Sequence, residues 1–358
     1  MGGMMKVLIA MSGGVDSSVA AKLLCDEGYE CIGCTMKLYD NCDAGLPRGR
    51  TCCSLDDVED ARSVAFSLGM RYYVFNFKDD FREKVIKKFA SGYLRGQTPN
   101  PCIDCNRYMK FDKLFERAKL LGCDKIATGH YARIEFDGRK YRLKKALDKS
   151  KDQSYVLYML TQEQLAHALF PLGSLHKTDT RAIADTADLS SAHKPDSQDI
   201  CFVPDGDYAA AIERLAGIKA PCGNFIDASG KVIGTHRGIT HYTVGQHRGL
   251  GLSLPERRYV CSIDAENSTV TLGGSDELYS STAEVRGFNW ISGETPAEPI
   301  RCTAKIRYRQ PEQPATAIAH KDGSITIQFD APQRAVTPGQ AAVLYDGDTV
   351  LGGGEIVR

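Results

Sequence analysis

The residues best suited to chemistry near the start of the chain form a loop rich in glycine and serine. The segment Ser12–Ser18 reads SGGVDSS, follows an apolar run at Lys6–Met11, and opens a helical pattern that extends to Gly28. Two glycines let the backbone pass close to a phosphate and adopt positive φ. The N–H groups of the loop, its hydroxyls and the start of the helix together predict an anion site.

The composition of this loop excludes two common nucleotide motifs. It lacks the Gly-Lys-Ser/Thr ending of a Walker A loop, and it lacks the G-x-G-x-x-G spacing of a dinucleotide-binding turn. Asp16 places a carboxylate beside the predicted phosphate site, where a carboxylate and phosphates together suit Mg²⁺. An ordinary glycine-serine turn before a helix is the alternative interpretation.

Thirteen cysteines form the second chemical feature of the 358-residue chain. Their odd number and the chain length do not match a small disulfide-bonded secreted domain. Cys105 lies in the proline-rich segment Thr98–Asn106, TPNPCIDCN, and Cys201 follows about a hundred residues later in DSQDICFVP. Spacing alone does not pair these two thiols. The adjacent Cys52 and Cys53 are expected to be structural, since neighbouring cysteines are poor ligands for one tetrahedral ion.

Alternating strands and helices must position these residues. Buried-strand patterns at 6–11, 31–38, 72–77 and 124–128 alternate with helical patterns at 16–28, 55–68, 81–94 and 111–121. This order predicts an α/β domain with a mostly parallel sheet, whose ligands lie at the carboxyl ends of the strands.

The pattern changes after about residue 205. A short helix at 208–215 and a hairpin at 258–263 and 269–272 are followed only by strand patterns, at 301–309, 324–330, 341–345 and 350–356. Short strands at this spacing predict a small barrel. We therefore predict a catalytic domain at 1–206, a small central β-containing domain at 207–277 and a C-terminal β-barrel at 278–358.

The charge of the chain is balanced overall and uneven locally. With 45 basic and 45 acidic residues, a globally basic domain held to nucleic acid by bulk charge is excluded. Arg139–Lys151 nevertheless holds seven basic residues and one acid, and Arg301–Arg309 holds four basic residues and no acid. One interpretation of these stretches is a solvated hairpin face. The other is that local basic patches bind a polyanionic partner. The second interpretation predicts that charge reversal at Lys144 or Lys145 weakens the salt dependence of binding.

The glycine-serine loop resembles the pyrophosphate loop of ATP pyrophosphatases, which split ATP into AMP and pyrophosphate. The segments around Cys105 and Cys201 resemble the two cysteine motifs of the tRNA-specific 2-thiouridylases. Further matches to that family cover the chain: TMKL at 35–38, ATGHYA at 127–132, KDQSY at 151–155, TVGQHR at 243–248, RYR at 307–309 and PGQA at 338–341. The resemblance implies a Rossmann-like, adenine-nucleotide α-hydrolase fold for the first domain.

The same resemblance implies an ATP-dependent tRNA-uridine 2-sulfurtransferase. ATP would adenylate the 2-oxygen of the wobble uridine, and Cys201 would attack as a persulfide. Cys105, the second nucleophile, would release the thiolated base and leave a Cys105–Cys201 disulfide. The implied partners are tRNAs for lysine, glutamate and glutamine and a sulfur donor such as a cysteine desulfurase or a relay protein.

The resemblance also assigns residues to each ligand. It implies ATP contacts at Ala10, Met11, Ser12, Gly13, Gly14, Val15, Asp16, Ser17, Met36 and Gly129. It implies target-base contacts at Asn100, Pro101 and Cys102, and tRNA contacts at His130, Lys151, Asp152, Gln153, Tyr308, Arg309 and Gln340. A packing histidine and a barrel-core tyrosine are the alternatives for His130 and Tyr308.

Cys102 departs from the pattern of the family, in which many members carry Asp. Cys102, Cys105 and Cys201 could therefore supply three thiolates to an iron–sulfur cluster or to zinc. Two other functions also stay open: an ATP pyrophosphatase that amidates a metabolite, and a tRNA-binding module whose loop only senses nucleotide. No apolar run approaches the roughly 18 residues of a membrane span, and no secretory leader is evident, so we expect a cytoplasmic protein.

Overall fold

The computed structural model describes residues 4–39, 55–195, 200–203 and 206–358. The Cys52-Cys53 pair and the Ser197–Asp199 part of the second cysteine motif lie outside these residues. Within the described ranges, every helix is too short or too polar to traverse a lipid bilayer.

The helices of the described residues are concentrated in the first 216 positions. They are α1 (Val15–Asp26), α2 (Leu55–Ser67), α3 (Lys78–Phe81), α4 (Lys87–Leu94), α5 (Pro101–Asp104), α6 (Leu114–Leu120), α7 (Gln162–His167), α8 (Lys177–Thr186) and α9 (Tyr208–Ala216). Two π-helical segments, Arg82–Ile86 and Cys105–Lys113, join α3 to α4 and α5 to α6. Single 3₁₀ turns lie at Ser154–Val156, Ile239–His241 and Asp276–Leu278.

The strands fall into three sheets. They are β1 (Lys6–Ala10), β2 (Glu30–Lys37), β3 (Arg71–Asn76), β4 (Lys125–Thr128), β5 (Ala132–Phe136), β6 (Tyr141–Lys145), β7 (Ala168–Leu169), β8 (Gly223–Ile226), β9 (Val232–His236), β10 (Tyr259–Asp264), β11 (Thr269–Gly273), β12 (Tyr279–Trp290), β13 (Ile300–Lys305), β14 (Gln313–Ala319), β15 (Ile325–Arg334), β16 (Ala341–Asp346) and β17 (Thr349–Ile356).

The first sheet confirms the predicted parallel α/β domain. Its order is β3-β2-β1-β4-β7, and every neighbouring pair is parallel. In β1, Leu8 packs into one core while Val7 and Ile9 pack into the core on the opposite face. A strand covered on both faces must be apolar throughout, which explains the unbroken apolar run. The chain order changes direction at β1, where α/β sheets bind ligands.

The helix that carries the first cysteine motif starts earlier than its pattern predicts. The sequence pattern predicts a helix from residue 111, yet the helical segment runs from Pro101 to Leu120 through the π-helical stretch. Asn100 is the N-cap, since its side chain accepts a hydrogen bond from the Cys102 N–H at 3.1 Å. Proline is pre-organised for the first helical position. Both cysteines of the motif therefore lie on a helix and not in a loop.

The C-terminal β-barrel is confirmed, with one addition. Strands β12, β15, β14, β13, β16 and β17 close on themselves through the β12–β17 pairing, and β6 extends the sheet through Thr349 and Lys144. The basic hairpin β5–β6 thus joins the barrel. Strand β13 ends at Lys305 and not at the predicted Arg309, because the chain turns there and Arg307 points to carbonyls outside the strand. Strands β8–β11 form the separate central sheet.

Candidate active site

The glycine-serine loop closes the gap between β1 and α1, as predicted. Gly13 has φ +77°, and a Cβ placed there would lie 2.4 Å from the Asp57 carbonyl oxygen. Gly129, directly after β4, would collide in the same way with the backbone of Asp16 and Ser17. The two positions therefore need glycine for close backbone packing. Ala10–Ser17, Met36 and Gly129 all lie near the carboxyl ends of β1, β2 and β4.

Serine hydroxyl groups stabilise the loop through hydrogen bonds to its own backbone. Ser17 Oγ and Ser18 Oγ each donate to the Gly14 carbonyl at 3.0 Å, and Ser17 Oγ also accepts from the Ser12 N–H at 3.2 Å. Ser191 Oγ donates to Ser18 Oγ at 2.8 Å. These bonds hold the loop conformation before any anion binds, which lowers the ordering cost of binding.

Asp16 faces two partners that its sequence context does not reveal. Lys177 Nζ lies 2.6 Å and Tyr131 Oη 2.9 Å from the same oxygen, Oδ1, and Tyr131 also bonds to Thr180. Lys177 comes from α8, far along the chain, and no local motif marks it. The Mg²⁺ contact of Asp16 stays a prediction.

Cys105 is positioned by the two residues beside it. The buried Asp104 accepts a hydrogen bond from Lys88 Nζ at 2.7 Å, and burial raises the pKa of Asp104 while Lys88 opposes the rise. On the other side, Asn106 Nδ2 donates to the Val156 carbonyl at 3.1 Å. These anchors fix the helix at the start of its π-helical stretch, a distortion often found at functional sites.

Cys201 is held by an aromatic neighbour. Phe202 is fully buried and meets Phe81 and Phe89 edge-on, with ring centroids 5.8 and 5.5 Å apart. Tyr39 Oη donates to the Cys201 carbonyl at 2.8 Å. Burying one phenylalanine contributes about 1.5–3 kcal/mol, enough to anchor this short segment on the helix that begins at Lys78.

The two predicted catalytic cysteines pack against one apolar cluster, which includes Tyr39, Phe81, Phe89, Met109 and Phe202. Cys105 and Cys201 are both half-buried at its margin, whereas Cys102 is exposed and is not part of it. The fold therefore brings together two motifs that are about a hundred residues apart in sequence.

The three cysteines considered as ligands of an iron–sulfur cluster lie in two environments: Cys105 and Cys201 pack against the apolar cluster, and Cys102 is exposed. In the part of the chain that the structure describes, no three His, Cys, Asp or Glu side chains gather as ligands for a metal ion. Cys102, Cys105 and Cys201 all belong to that part, so the arrangement of these donors does not fit a cluster held by the three.

Cys102 faces the region predicted to touch tRNA. Tyr308 Oη lies 3.4 Å from the Asp152 carbonyl, and its ring centroid lies 5.9 Å from that of Tyr155. Burial raises the pKa of Tyr308, and the neighbouring Asp152 and Cys102 add to the rise. Tyr308 is 37% exposed, so the barrel-core alternative is wrong. Arg309 beside it is also exposed.

Gln340 has a structural partner in the first domain. Its Nε2 donates to the Thr98 carbonyl at 2.6 Å, and the Thr98 N–H donates to the Pro338 carbonyl at 2.8 Å. Gly339, with φ +89°, leaves no room for a Cβ against Gln97 and Thr98. The barrel is therefore hydrogen-bonded to, and packed against, the backbone just before Asn100 and Pro101.

The other predicted tRNA residues also make internal contacts. Gln153 Oε1 accepts from the Tyr131 N–H at 2.9 Å, and the Asp152 carboxylate accepts from Ala146 and Ser154. His130 is buried beside Phe170, and burial and Lys110 lower the pKa of His130. His130 is therefore packed in the protein interior, and its contact with tRNA stays a prediction. Lys151 is half-buried next to Asp152.

The first basic stretch is largely neutralised by tertiary contacts. Lys145 pairs with Glu312 at 2.6 Å, and Lys144 pairs with Glu135 and Asp348 at 3.0 and 3.3 Å. Lys140 and Arg142 pair with Glu294 and Asp137. These ion pairs stabilise the β5–β6 hairpin. The contacts of Lys144 and Lys145 therefore do not support the prediction that these two lysines carry the salt dependence of tRNA binding.

Comparison with family models matches the three domains separately. The tRNA methyl transferase HUP domain model matches residues 5–205, the tRNA methyl transferase PRC-barrel domain model matches 215–274, and the aminomethyltransferase beta-barrel domain model matches 280–356.

Comparison with whole proteins finds full-length relatives. A tRNA-specific 2-thiouridylase MnmA of Acetivibrio thermocellus is 52% identical over 98% of this chain and 99% of its own length. A second such protein, from Caldanaerobacter subterraneus subsp. tengcongensis, is 51% identical over 99% and 98%. Among solved structures, a 4-thiouridine synthetase in an RNA complex with bound ATP covers 60% of this chain and 50% of its own, at 19% identity and TM-score 0.38.

Proposed function

The chain belongs to the tRNA-specific 2-thiouridylase family and is a sulfurtransferase that uses ATP to thiolate tRNA; we propose here which of its residues carry each step. The observation that carries the proposal is the packing of Cys105 and Cys201 against one apolar cluster at the end of the nucleotide-binding sheet. A nucleotide loop, a pair of nucleophilic thiols and an exposed aromatic face are the parts that this reaction needs.

Adenylation is the first step of the proposed mechanism. The loop Ala10–Ser17 holds the phosphates of ATP through its N–H groups and the start of α1, while Met36 and Gly129 contact the nucleotide. Asp16, oriented by Lys177 and Tyr131, is the residue that would contact Mg²⁺. The 2-oxygen of the target uridine attacks the α-phosphorus, and pyrophosphate leaves.

Sulfur transfer follows at the two cysteines. The terminal sulfur of a Cys201 persulfide attacks C2 of the adenylated base, and AMP leaves with the former 2-oxygen. The Cys105 thiolate then attacks the Cys201 sulfur, and the electrons of the broken S–S bond pass to the sulfur on C2. The products are 2-thiouridine and a Cys105–Cys201 disulfide, which a thiol reductant must reduce before the next turnover.

The target base must leave its stack to reach these groups. Enzymes that act on a base edge extrude the nucleotide into a pocket and read it there. We assign Asn100, Pro101 and Cys102 to the base, and the neighbouring Tyr308, Arg309, Lys151, Asp152, Gln153 and His130 to the tRNA around it. Gln340, predicted as a further tRNA contact, acts instead through its bond to the Thr98 carbonyl. Exposed Tyr308 offers the aromatic face on which an RNA base can stack.

The proposal extends to partners and location. A cysteine desulfurase or a relay protein supplies the persulfide sulfur, and the substrates are the tRNAs for lysine, glutamate and glutamine. We place the reaction in the cytoplasm, because tRNA is located there and the disulfide formed in each cycle needs a reducing environment.

A reconstitution tests this proposal directly. The protein is mixed with ATP, Mg²⁺, bulk tRNA and a desulfurase with cysteine, and AMP and 2-thiouridine are measured in the same samples. We expect both products in about equal amounts and only when tRNA is present. AMP formed without tRNA would support a metabolite-amidating enzyme, and tRNA binding without AMP would support a binding module.

The same preparation separates persulfide chemistry from cluster chemistry. Iron and acid-labile sulfide are assayed on anaerobically purified protein, and the Cys201 peptide is examined by mass spectrometry for an added sulfur. We expect active protein without iron and a mass increase at Cys201. Activity that follows the iron content would contradict the persulfide route.

A further inference from the structure

A cavity lies where the central domain meets the barrel. Its volume is about 520 Å³, and its walls include Thr243, Gly245, Gln246, Arg307, Gln310 and Arg334. Thr243, Gly245 and Gln246 belong to the TVGQHR segment, which the proposed chemistry does not use. None of the described residues that line the cavity is Asp or Glu.

Two guanidinium groups face each other across Gly245. A Cβ placed on Gly245, which has φ +90°, would lie 3.9 Å from Arg334 Nη1 and 4.0 Å from Arg307 Nη2. Any larger residue would therefore enter the space between the two cations. Neither arginine has an ion pair in the described part of the chain. Burial lowers the pKa of Arg307, and the charge of Arg334 adds to the lowering. Two unneutralised like charges beside an open space favour an anion.

The arginines are held in place by other groups. Arg307 Nη2 donates to the Val244 and Ala335 carbonyls, 3.0 and 3.3 Å away. The Arg334 guanidinium stacks over the Tyr259 ring at 4.9 Å from its centroid. A guanidinium fixed in this way presents its remaining N–H groups without a further ordering cost, which suits the geometry of phosphate.

Two of the residues that line the cavity carry buried polar atoms without a partner. Arg307 Nε and Gln310 Oε1 have no hydrogen-bond partner among the described residues. A buried polar atom left unpaired costs about 1–3 kcal/mol. A ribose 2′-hydroxyl both donates and accepts, so it can satisfy the Gln310 amide. Phosphate and hydroxyl together are the chemistry of an RNA backbone.

The position of the cavity connects it to the target-base segment. Thr243 Oγ1 lies 3.5 Å from Thr98 Oγ1, two residues before Asn100. The cavity therefore lies beside the segment assigned to the target base, Asn100 and Pro101. We propose that the cavity binds the ribose-phosphate backbone of a tRNA nucleotide close to the target uridine, with Arg307 and Arg334 on the phosphate and Gln310 on the ribose hydroxyl. This inference rests on the proposed function.

Arg334 is the residue to vary, because Arg307 donates hydrogen bonds to the Val244 and Ala335 carbonyls, whereas Arg334 contacts the central domain through its stacking on Tyr259. Arg334→Gln is compared with Arg257→Gln, which removes the same charge from an exposed arginine that does not line the cavity. We expect R334Q to raise the KM for tRNA about tenfold and to reduce the slope of log K against log salt by about 0.7–0.9, the loss of one phosphate contact. The rate at saturating tRNA and the thermal unfolding temperature should match those of R257Q.

Two further measurements identify the ligand. An anticodon stem-loop with 2′-deoxyribose on either side of the target should bind wild-type protein about fivefold more weakly than its RNA counterpart, and Gln310→Leu should abolish the difference. Saturable binding of inorganic phosphate without tRNA, present in the wild type and lost in R334Q, would assign the site to a free anion and overturn the proposal.

The outcomes keep this inference separate from the function itself. If wild-type protein forms no 2-thiouridine, the proposed function fails. If it forms 2-thiouridine while R334Q retains the wild-type salt slope and KM, the function stands and the backbone site is refuted.

Discussion

The nucleotide loop and the tRNA-facing surface are built in different ways. Nearly all of the proposed nucleotide site comes from one continuous stretch, Ala10–Ser17, folded by a local strand-turn-helix unit. The proposed tRNA-facing surface combines Cys102, Asp152 and Tyr308 with the supporting Gln340, and these residues come from four distant segments. Local geometry makes the first site, and docking of the barrel makes the second. A disturbance of the barrel should therefore reach the base-binding segment while nucleotide binding persists.

The largest expected effect is at the cysteines, where the two sites meet. Cys105→Ser and Cys201→Ser should each lower thiolation at least a thousandfold, because each removes a nucleophile that the reaction needs. ATP binding and tRNA binding should both persist. 2-Thiouridine in digested tRNA is measured by mass spectrometry, with the exposed Cys222→Ser as control. Full activity in either variant would rule out the paired-thiol mechanism.

The next effect isolates the nucleotide loop. Gly13→Ala combines a positive φ with a Cβ 2.4 Å from the Asp57 carbonyl, so the loop must shift. We expect AMP formation to fall about a hundredfold while the affinity for tRNA is unchanged. Gly122→Ala is the matched control, because its φ is +67° and nothing lies within 4 Å of the added Cβ. Equal losses in the two variants would mean that backbone strain alone, and not the close packing, is responsible.

A smaller effect tests the hydrogen bond between the barrel and the segment before Asn100. Gln340→Ala removes the bond to the Thr98 carbonyl and should lower the rate of thiolation at saturating tRNA about five- to tenfold, the value of one hydrogen bond. The KM for ATP should not change. Gln333→Ala, whose side chain bonds within its own strand, is the control. A higher KM for tRNA with an unchanged maximal rate would instead indicate that Gln340 contacts tRNA directly.

The smallest effect concerns the neutralised lysines. Lys145→Gln breaks the ion pair with Glu312 and should destabilise the fold by about 1 kcal/mol, measured by urea unfolding. The salt dependence of tRNA binding should stay that of the wild type. The exposed Lys149, which has no ion pair among the described residues, offers the comparison: Lys149→Gln should leave stability unchanged. A lower salt slope in K145Q would restore the first basic stretch as a tRNA contact.

Local sequence rules predicted the first domain and the nucleotide loop well. Apolar runs, glycines and helix patterns act over a few residues, so β1, the loop and α1 could be placed from Lys6–Gly28 alone. The same rules placed the start of the cysteine helix ten residues too late, because the capping by Asn100 and the π-helical stretch disturb the usual periodicity. They extended β13 too far because a charged run does not mark where a strand ends.

The sequence by itself predicted the alternation of strands and helices in the first domain, the nucleotide loop and, through its motifs, the family. It did not mark β14 (Gln313–Ala319) or α8 (Lys177–Thr186). The tertiary structure decided which thiols share one environment, that Lys177 and Tyr131 orient Asp16, and that Gln340 holds Thr98. It also showed that Lys144 and Lys145 are paired, so net charge along the chain did not predict the charge available to RNA. The physical reason is the same in each case: strand and turn propensities act between neighbours, whereas packing and ion pairs join residues that only folding brings together.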